Sequence, residues 1–505
     1  MIRHSETLLA GLLALFLLAA PLPFGGVTPW AAALLATVCG GLLAVAAVAC
    51  ERPAALRPAA LPAAALAGLA LLGLVQAAPL PLGTVAALSP EHARLERQAG
   101  ELAGAPAPAR LTLAATASRR AALGWAAAAA VFLAAAVAGR RRERRRWLAF
   151  AVLAGGLFQV FFGARDWFAH ASTLWGVDLH ATATRLRGTF VNPNHLALYL
   201  EMGLAVAFAW SWWAARRAAG EPRPERRVLL VAPPALIWIT LFAGLAFSGS
   251  RAGLLAAVAA VSAQGLLVPG SRRRWWVAPL GALAALAGLA VVAALGFQEG
   301  LGRLAATTRA DVSVGARLDE YRAALGLWRL FPLTGSGLGT FRDAFPLVQP
   351  AELRGTWWHP HSDLFEVLVT GGLAGAALLA LGFWGVAWRL AGVLRDGGRS
   401  EDRAAGLAAV GAVVSIGLHE SLDFGLTMPG SALTFAALLG AVTLARTRER
   451  SAQLDGAGQD LVAVDALELE HVEAAPDRSR AAEGRRRSRR RGGDREHAHR
   501  GAVEP

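Results

Sequence analysis

The chain has 505 residues, of which 55% are hydrophobic and 17% charged, where an average soluble protein carries roughly 25% charged residues. So large an apolar excess cannot be folded inside one soluble core, because surface grows too quickly with size. The composition is that of an all-α, polytopic integral membrane protein, and it excludes a soluble enzyme, a fibrous protein and a disordered chain. The net charge is +14 and all 50 basic residues are arginine. A standard ATP-driven pump is thereby excluded too, since its phosphate loop needs a lysine.

Twelve stretches come close to the ~20 apolar residues that cross a bilayer. They lie near 7–23, 28–50, 61–77, 120–139, 147–163, 196–215, 228–248, 251–269, 275–297, 364–388, 404–422 and 430–445, with the third and eleventh weakest. The first is expected to be an uncleaved helix rather than a signal peptide. Pro21 and Pro23 follow it, no cleavage site is apparent, and another span comes at once. Cys39 and Cys50 share one apolar stretch and build neither a disulfide framework nor a zinc site.

Arginine clusters follow the even-numbered spans: 140–146, 216–227, 272–274, 389–403 and 446–450. Since arginine is retained on the cytoplasmic side, both termini are expected in the cytoplasm. Residues 78–119, 164–195 and 298–363 then become outer loops, the last the largest. The tail 447–505 is polar, ends in the arginine-rich run 485–491, and reads as disordered. Its expected partner is anionic lipid rather than nucleic acid. The transmembrane domain is expected to be 1–446.

Within the large loop, Val314, Leu318, Tyr321, Leu325 and Trp328 recur at three- and four-residue steps. This spacing predicts an amphipathic helix over ~312–330, lying along the membrane surface or over the spans. The following Pro332-Leu-Thr-Gly-Ser-Gly-Leu-Gly-Thr-Phe341 is glycine-rich and reads as a tight turn rather than a nucleotide loop.

Polar groups near membrane depth mark the candidate chemistry. Arg251, between spans seven and eight, is a fixed cation for an anion or a snorkelling interfacial residue. Arg317 opens the loop helix, as a second such cation or as a salt-bridge partner of Asp319 or Glu320. His359, His361, Asp363 and Glu366 gather in Trp357-Trp-His-Pro-His-Ser-Asp-Leu-Phe-Glu366, where the loop re-enters the membrane. A metal site suits this spacing poorly without a third anchored ligand. A neutral imidazole taking a proton from a hydroxyl suits it better. Gly372 and Gly375 would let a neighbouring helix pack closely. Asn192, Asn194 and His195 enter span six, to cap the helix or to bind sugar hydroxyls. Asp423, after span eleven, would orient an arginine or a histidine, or simply end the helix.

Together these segments resemble the O-antigen ligase and polymerase superfamily. The resemblance rests on His361-Ser362 followed by Gly372-x-x-Gly375, on Arg251 and Arg317, on Gly188–His195, on the Pro332–Phe341 turn and on His419–Asp423, and it covers roughly 185–445. It implies a glycosyltransferase of the bacterial inner membrane, active at its periplasmic face without cofactor or metal. The implied donor is a glycan on undecaprenyl diphosphate. The implied acceptor is lipid A–core sugar for a ligase or a second lipid-linked repeat for a polymerase. In this reading Arg251 and Arg317 bind the diphosphate and His361 is the base, with inversion at the anomeric carbon. His359, Asp363, Glu366, Asn194, His195 and Asp423 support them. A polysaccharide transporter or flippase competes, but would normally show internal repeats. A non-catalytic assembly factor is the remaining alternative.

Overall fold

The computed structural model describes residues 2–50, 52–104, 108–179, 185–268, 312–396 and 399–445, within one compact unit, Met1–Thr447. The helices are, in order, α1 (Ile2–Ala19), α2 (Pro29–Ala49), α3 (Arg57–Ala77), α4 (Leu82–Leu88), α5 (Pro90–Ala103), α6 (Ala115–Ala138), α7 (Arg142–Phe168), α8 (Pro193–Ala218), α9 (Pro224–Ser248), α10 (Arg251–Leu267), α11 (Val312–Leu330), α12 (Phe341–Ala344), α13 (Asp363–Asp396), α14 (Ser400–His419) and α15 (Pro429–Thr443). One antiparallel hairpin, β1 (Thr173–Leu174) with β2 (Val177–Asp178), supplies the strands among the described residues.

Every expected span except the ninth coincides with a helix. The ninth, with Arg272, Arg273 and Arg274, lies outside the described residues, as do 298–311 and the tail 447–505. Among the described residues seven helices are long and apolar enough to cross a membrane, and three shorter apolar ones add His4–Ala19, Arg251–Leu267 and Pro429–Thr443. The segment 78–119, expected to be a loop, holds α4 and α5 instead. Pro90 at the start of α5 and left-handed Gly104 after it bracket that helix, as proline and glycine usually do.

The helices begin where the sequence supplies starts. Proline occupies the first position of α2, α8, α9 and α15, where its missing N–H costs nothing. Ala- and Leu-rich interiors then favour helix. Their outward faces carry exposed Trp30, Val48, Leu229, Leu236, Ile239, Trp384 and Trp388, a surface suited to hydrocarbon rather than water. Inside, small residues let backbones touch. A Cβ on Gly440 of α15 would stand 2.2 Å from the Phe132 carbonyl oxygen of α6, and one on Gly139 2.4 Å from that of Ala441.

The two ends of the bundle differ chemically. At one end Arg142 and Arg145 of α7 converge on Asp402 of α14, Arg144 pairs with Glu6 of α1, and Arg389 donates to the Thr443 and Ala445 carbonyls. Arg216 and Arg217 end α8 on the same side, since the first turn of α8, with Asn194, lies at the other end. That opposite end carries His419 at the close of α14 and the polar cluster described below.

Helix α11 packs over the start of α13, but not through the stripe its sequence suggests. Leu318 is exposed, and the buried line is Glu320, Ala324, Leu327 and Phe331. These last three join Phe341, Phe345, Leu353 and Val369 in a separate apolar cluster. The buried line is the expected stripe displaced by one residue, about 100° around the helix, with Tyr321, Leu325 and Trp328 half-buried at its edge and Leu318 left outside.

The glycine-rich turn interrupts a helix. At Gly372 (φ 64°, ψ −163°) α13 breaks, freeing main-chain groups that the turn then satisfies. Ser336 and Gly337 N–H donate to the Val369 and Thr370 carbonyls, while Leu373 and Ala374 N–H donate to those of Pro332 and Leu333. Gln76 of α3 closes the joint: its amide donates to the Thr334 and Thr370 carbonyls at 2.6 and 3.2 Å and its oxygen accepts from Leu338 N–H at 2.9 Å. Gly372 therefore admits a loop rather than a helix. Gly375, one turn on, does face a helix, with Leu72 of α3 its nearest side chain outside α13.

Candidate active site

The site is built where α8, α10, α11, α13 and α14 begin or end. Asn192 and Asn194 divide the two expected roles. Asn192 caps α8, its side chain accepting from Asn194 N–H at 2.9 Å, which leaves the Asn194 amide to face the cluster. Asn194 Nδ2 donates to Asp423 Oδ2 at 2.7 Å, and its Oδ1 accepts from Arg185 Nη2 at 2.7 Å. Arg185 Nε donates in turn to the Ser248 carbonyl at 2.6 Å, tying the end of α9 to the start of α8. The upstream Gly188–Phe190 stretch is structural: Thr189 bonds Gln159 and the Pro21 carbonyl, and Phe190 is fully buried.

Asp423 holds the other oxygen toward His361, with Oδ1 3.9 Å from Nδ1. Burial by itself would raise this carboxyl. His361, the Phe424 N–H, His419 and Asn194 outweigh it and hold the group down at about 2, so it stays anionic at any physiological pH. His361 is also fixed through its main chain, since Tyr321 Oη donates to its carbonyl at 2.5 Å. Its Nδ1 is buried while a quarter of the side chain is exposed, so the open part of the ring lies away from Asp423.

His359 makes a different pair, with Nδ1 2.9 Å from Glu366 Oε2. Burial works against its charged form, but the Glu366 hydrogen bond and charge prevail and raise it above the usual histidine range. The two imidazoles are thus dissimilar: one bound to a carboxylate at hydrogen-bond distance, the other near one. Phe424 sorts them. Its ring stacks on His359 (centroids 5.1 Å, 26°), tilts against His361 (5.6 Å) and meets the edge of buried His195 (5.3 Å).

The 420–428 segment that carries Asp423 and Phe424 is held by carboxylates. Asp363 Oδ2 accepts from Thr427 N–H at 3.0 Å and Glu420 Oε2 from Gly425 N–H at 3.1 Å. Ser362 Oγ donates to the Glu420 carbonyl at 2.8 Å and accepts from Phe365 N–H. Beneath it, buried His419 and Glu201 pair at 2.5 Å, joining α14 to α8.

The two arginines enter from different sides. Arg317 donates to the Leu422 carbonyl at 3.4 Å, beside Asp423. The anticipated salt bridge to Asp319 is made by Arg322 instead, at 2.8 Å. One turn along, Glu320 is fully buried, with neither oxygen hydrogen-bonded among the described residues. Burial lifts it to about 7, against the pull of the His361 main chain and of Arg317. Arg251 opens α10 immediately after its cap, Ser250, which accepts from Gly253 N–H. That first turn lies on α8, where Gly253 approaches Ala197 and Glu201, and Gly249 lies against the Arg185 guanidinium.

Direct contacts therefore join His361, Asp423 and Asn194, and Arg317 reaches the neighbouring Leu422 carbonyl. His359, Glu366, His195 and Asp363 surround them, and Arg251 arrives at the same end through its helix start. Arg185 and Phe424 are functional neighbours that spacing did not single out, and Tyr321, expected only as part of the apolar stripe, is a third. Arg185 and Asn194 lie nine residues apart, and no periodicity links either with Asp423.

Residues 235–380 match the family described as O-Antigen ligase. This stretch carries the O-antigen ligase domain. It runs from within α9 into α13, so Arg251, Arg317, His359, His361 and the glycine-stitched break all fall inside it, while Asn194 and Asp423 lie outside it. The match supports the superfamily resemblance over this stretch, and the long apolar helices around it are those of a membrane protein. No curated protein matches the chain.

Proposed function

We propose that the protein is a membrane glycosyltransferase of the O-antigen ligase type. It transfers a glycan from undecaprenyl diphosphate to a hydroxyl of lipid A–core or another acceptor. The polar end of the bundle faces the periplasm of the inner membrane, and the arginine-rich end with both termini faces the cytoplasm.

The observation that supports this most is the placing of His361. Its Nδ1 faces the anionic Asp423, a quarter of its side chain is open, and Arg317 reaches the Leu422 carbonyl next to Asp423. A carboxylate behind an imidazole orients it and favours the imidazolium that forms as the other nitrogen accepts a proton. In this reading His361 takes the proton of the acceptor hydroxyl while that oxygen attacks the anomeric carbon from the face opposite the carrier, inverting it. The bond to the lipid diphosphate breaks, and Arg251 and Arg317 meet the charge left on the leaving phosphate. His359, committed to Glu366, shapes the site rather than accepting the proton. Asn194 and Arg185 hold Asp423, and Asp363 holds the segment that carries it.

The test is transfer by purified protein from a lipid-linked donor to a core acceptor. His361→Ala should lose ~10²–10⁴-fold in kcat, and Arg251→Ala or Arg317→Ala ~10²–10³-fold, all three inserting normally. Full activity in the three variants would overturn the assignment. Elongation of the donor's own repeat instead of transfer to core would make the enzyme a polymerase.

A further inference from the structure

We propose that Trp358 and Arg342 form a platform that binds a saccharide ring of the acceptor, an inference that rests on the transferase reading and extends the same site.

Trp357 and Trp358 are neighbours with opposite fates. Trp357 is turned inward, its ring edge-on to His361 at 5.9 Å and against Phe345 at 6.2 Å. Trp358 is turned outward and is 58% exposed, an expensive place for an indole unless something covers it. One face is already covered: the Arg342 guanidinium lies 3.8 Å from the ring centroid. Such a contact fixes both groups, since the cation sits on the negative ring face. The ring's remaining surface stays open.

The surroundings are polar rather than lipid-like. Segments 341–345 and 353–357 meet through Phe341, Phe345, Leu353 and Trp357. They bring with them the exposed charged side chains of Arg342, Asp343, Glu352 and Arg354. An open aromatic face backed by the Arg342 guanidinium, on a surface that also exposes charged side chains, matches the two chemistries of a sugar. Its C–H face packs on the indole, and its hydroxyls hydrogen-bond to the rim.

Position assigns the platform to the acceptor. Trp358 is three residues from His361, so their Cα atoms are at most ~11 Å apart. Pro360 between them restricts the connecting backbone. A short oligosaccharide stacked on Trp358 can therefore present a hydroxyl to the imidazole that would deprotonate it. The diphosphate belongs to Arg251 and Arg317, which approach from other elements.

The experiment measures binding and turnover separately on the full-length protein in nanodiscs. The probes are delipidated core oligosaccharide and a repeat-unit oligosaccharide, with binding read by saturation-transfer NMR and calorimetry. Trp358→Ala should weaken binding of one of them about tenfold and Trp358→Phe by less than about threefold, with Arg342→Ala in between. In turnover the acceptor KM should rise in parallel, with kcat and donor KM unchanged. The proposal fails if Trp358→Leu binds and turns over like wild type, because the indole is then only an apolar anchor. It fails equally if donor KM moves instead, or if wild type binds neither saccharide. Binding without any transfer would remove the transferase reading and leave the platform standing.

Discussion

His361 Nδ1 stands 3.9 Å from Asp423 Oδ1, and the second oxygen of the same carboxylate takes the Asn194 amide at 2.7 Å. The pair connects the loop before α13, the loop after α14 and the first turn of α8. Their relative placement is therefore decided at one carboxylate.

Asp423→Asn should accordingly leave the fold intact but lower kcat, because an amide neither orients the imidazole as a carboxylate does nor favours its charged form. A loss on the order of 10²-fold is expected, with donor KM nearly unchanged. Asn194→Ala should give a smaller loss in the same direction. Steady-state transfer kinetics on purified variants decide the matter, and an unchanged kcat in Asp423→Asn would show that His361 works without its neighbour.

The pH dependence of stability should be visible at Glu320. Its folded-state pKa is raised, to about 7, so the stabilisation is fully present below the ordinary glutamate range near ~4.3 and is lost as pH rises through about 7. Glu320→Gln should match wild type near pH 5 and melt at a higher temperature near pH 8. Thermal unfolding in detergent at the two pH values measures this. A variant less stable at pH 8 would mean that the charged form is solvated or paired.

His359 follows the same direction for a different reason. Glu366 raises its pKa despite burial, so the charged pair contributes most below the ordinary histidine pKa of ~6.5 and fades as pH rises through the raised value. Glu366→Gln should therefore destabilise the protein more at pH 5.5 than at pH 8.5. Equal losses at both would rule out a charged pair.

The stitched break in α13 gives the sharpest structural expectation. Gly372 has φ 64°, and a Cβ there would stand 2.4 Å from Gly335 N. One on Gly335 would stand 2.2 Å from Thr370. Gly372→Ala and Gly335→Ala should each fail to give monodisperse protein on size exclusion. Gly326→Ala, with open space around it in α11, should be neutral or slightly stabilising. Gln76→Leu removes three buried hydrogen bonds and leaves the Thr334 carbonyl and Leu338 N–H unpaired, at ~1–3 kcal/mol for each, so it should also lower yield and melting temperature.

How much of this was legible in the sequence follows from distance along the chain. Spans, helix starts and the loop helix rest on local composition and periodicity, and the helices lie where those place them. The exact buried face of α11 is not legible in residue type, because Leu318 looks inward and Glu320 outward. Packing on α13 reverses both. Gly372 and Gly375 looked alike as small residues, but only the left-handed backbone at Gly372 separates a helix break from a close helix contact. Arg185, Asn194 and Asp423 meet across 229 residues of sequence separation between the last two, and nothing local in Asp423 announces that its partner begins α8. Phe424 is a further example. One more phenylalanine in an apolar chain gives no sign that three imidazoles share its ring.

The joint at Gly372 also separates two mechanical duties. Residues 363–371 are secured to the 332–338 turn and, through Gln76, to α3, while the remainder of α13 runs toward the arginine-rich end on side-chain packing against α3, at Gly382–Ala65 and Gly385–Pro62, with no further main-chain stitch to the turn. Bilayers of different thickness are accommodated by helix tilt. In α13 that adjustment can be taken up below the joint, leaving His359 and His361 where they are. Spin labels spanning 365 and 385 should report changed separations between thin and thick bilayers, whereas labels at 365 and 333 should not; equal changes in both would mean that α13 tilts as one rod.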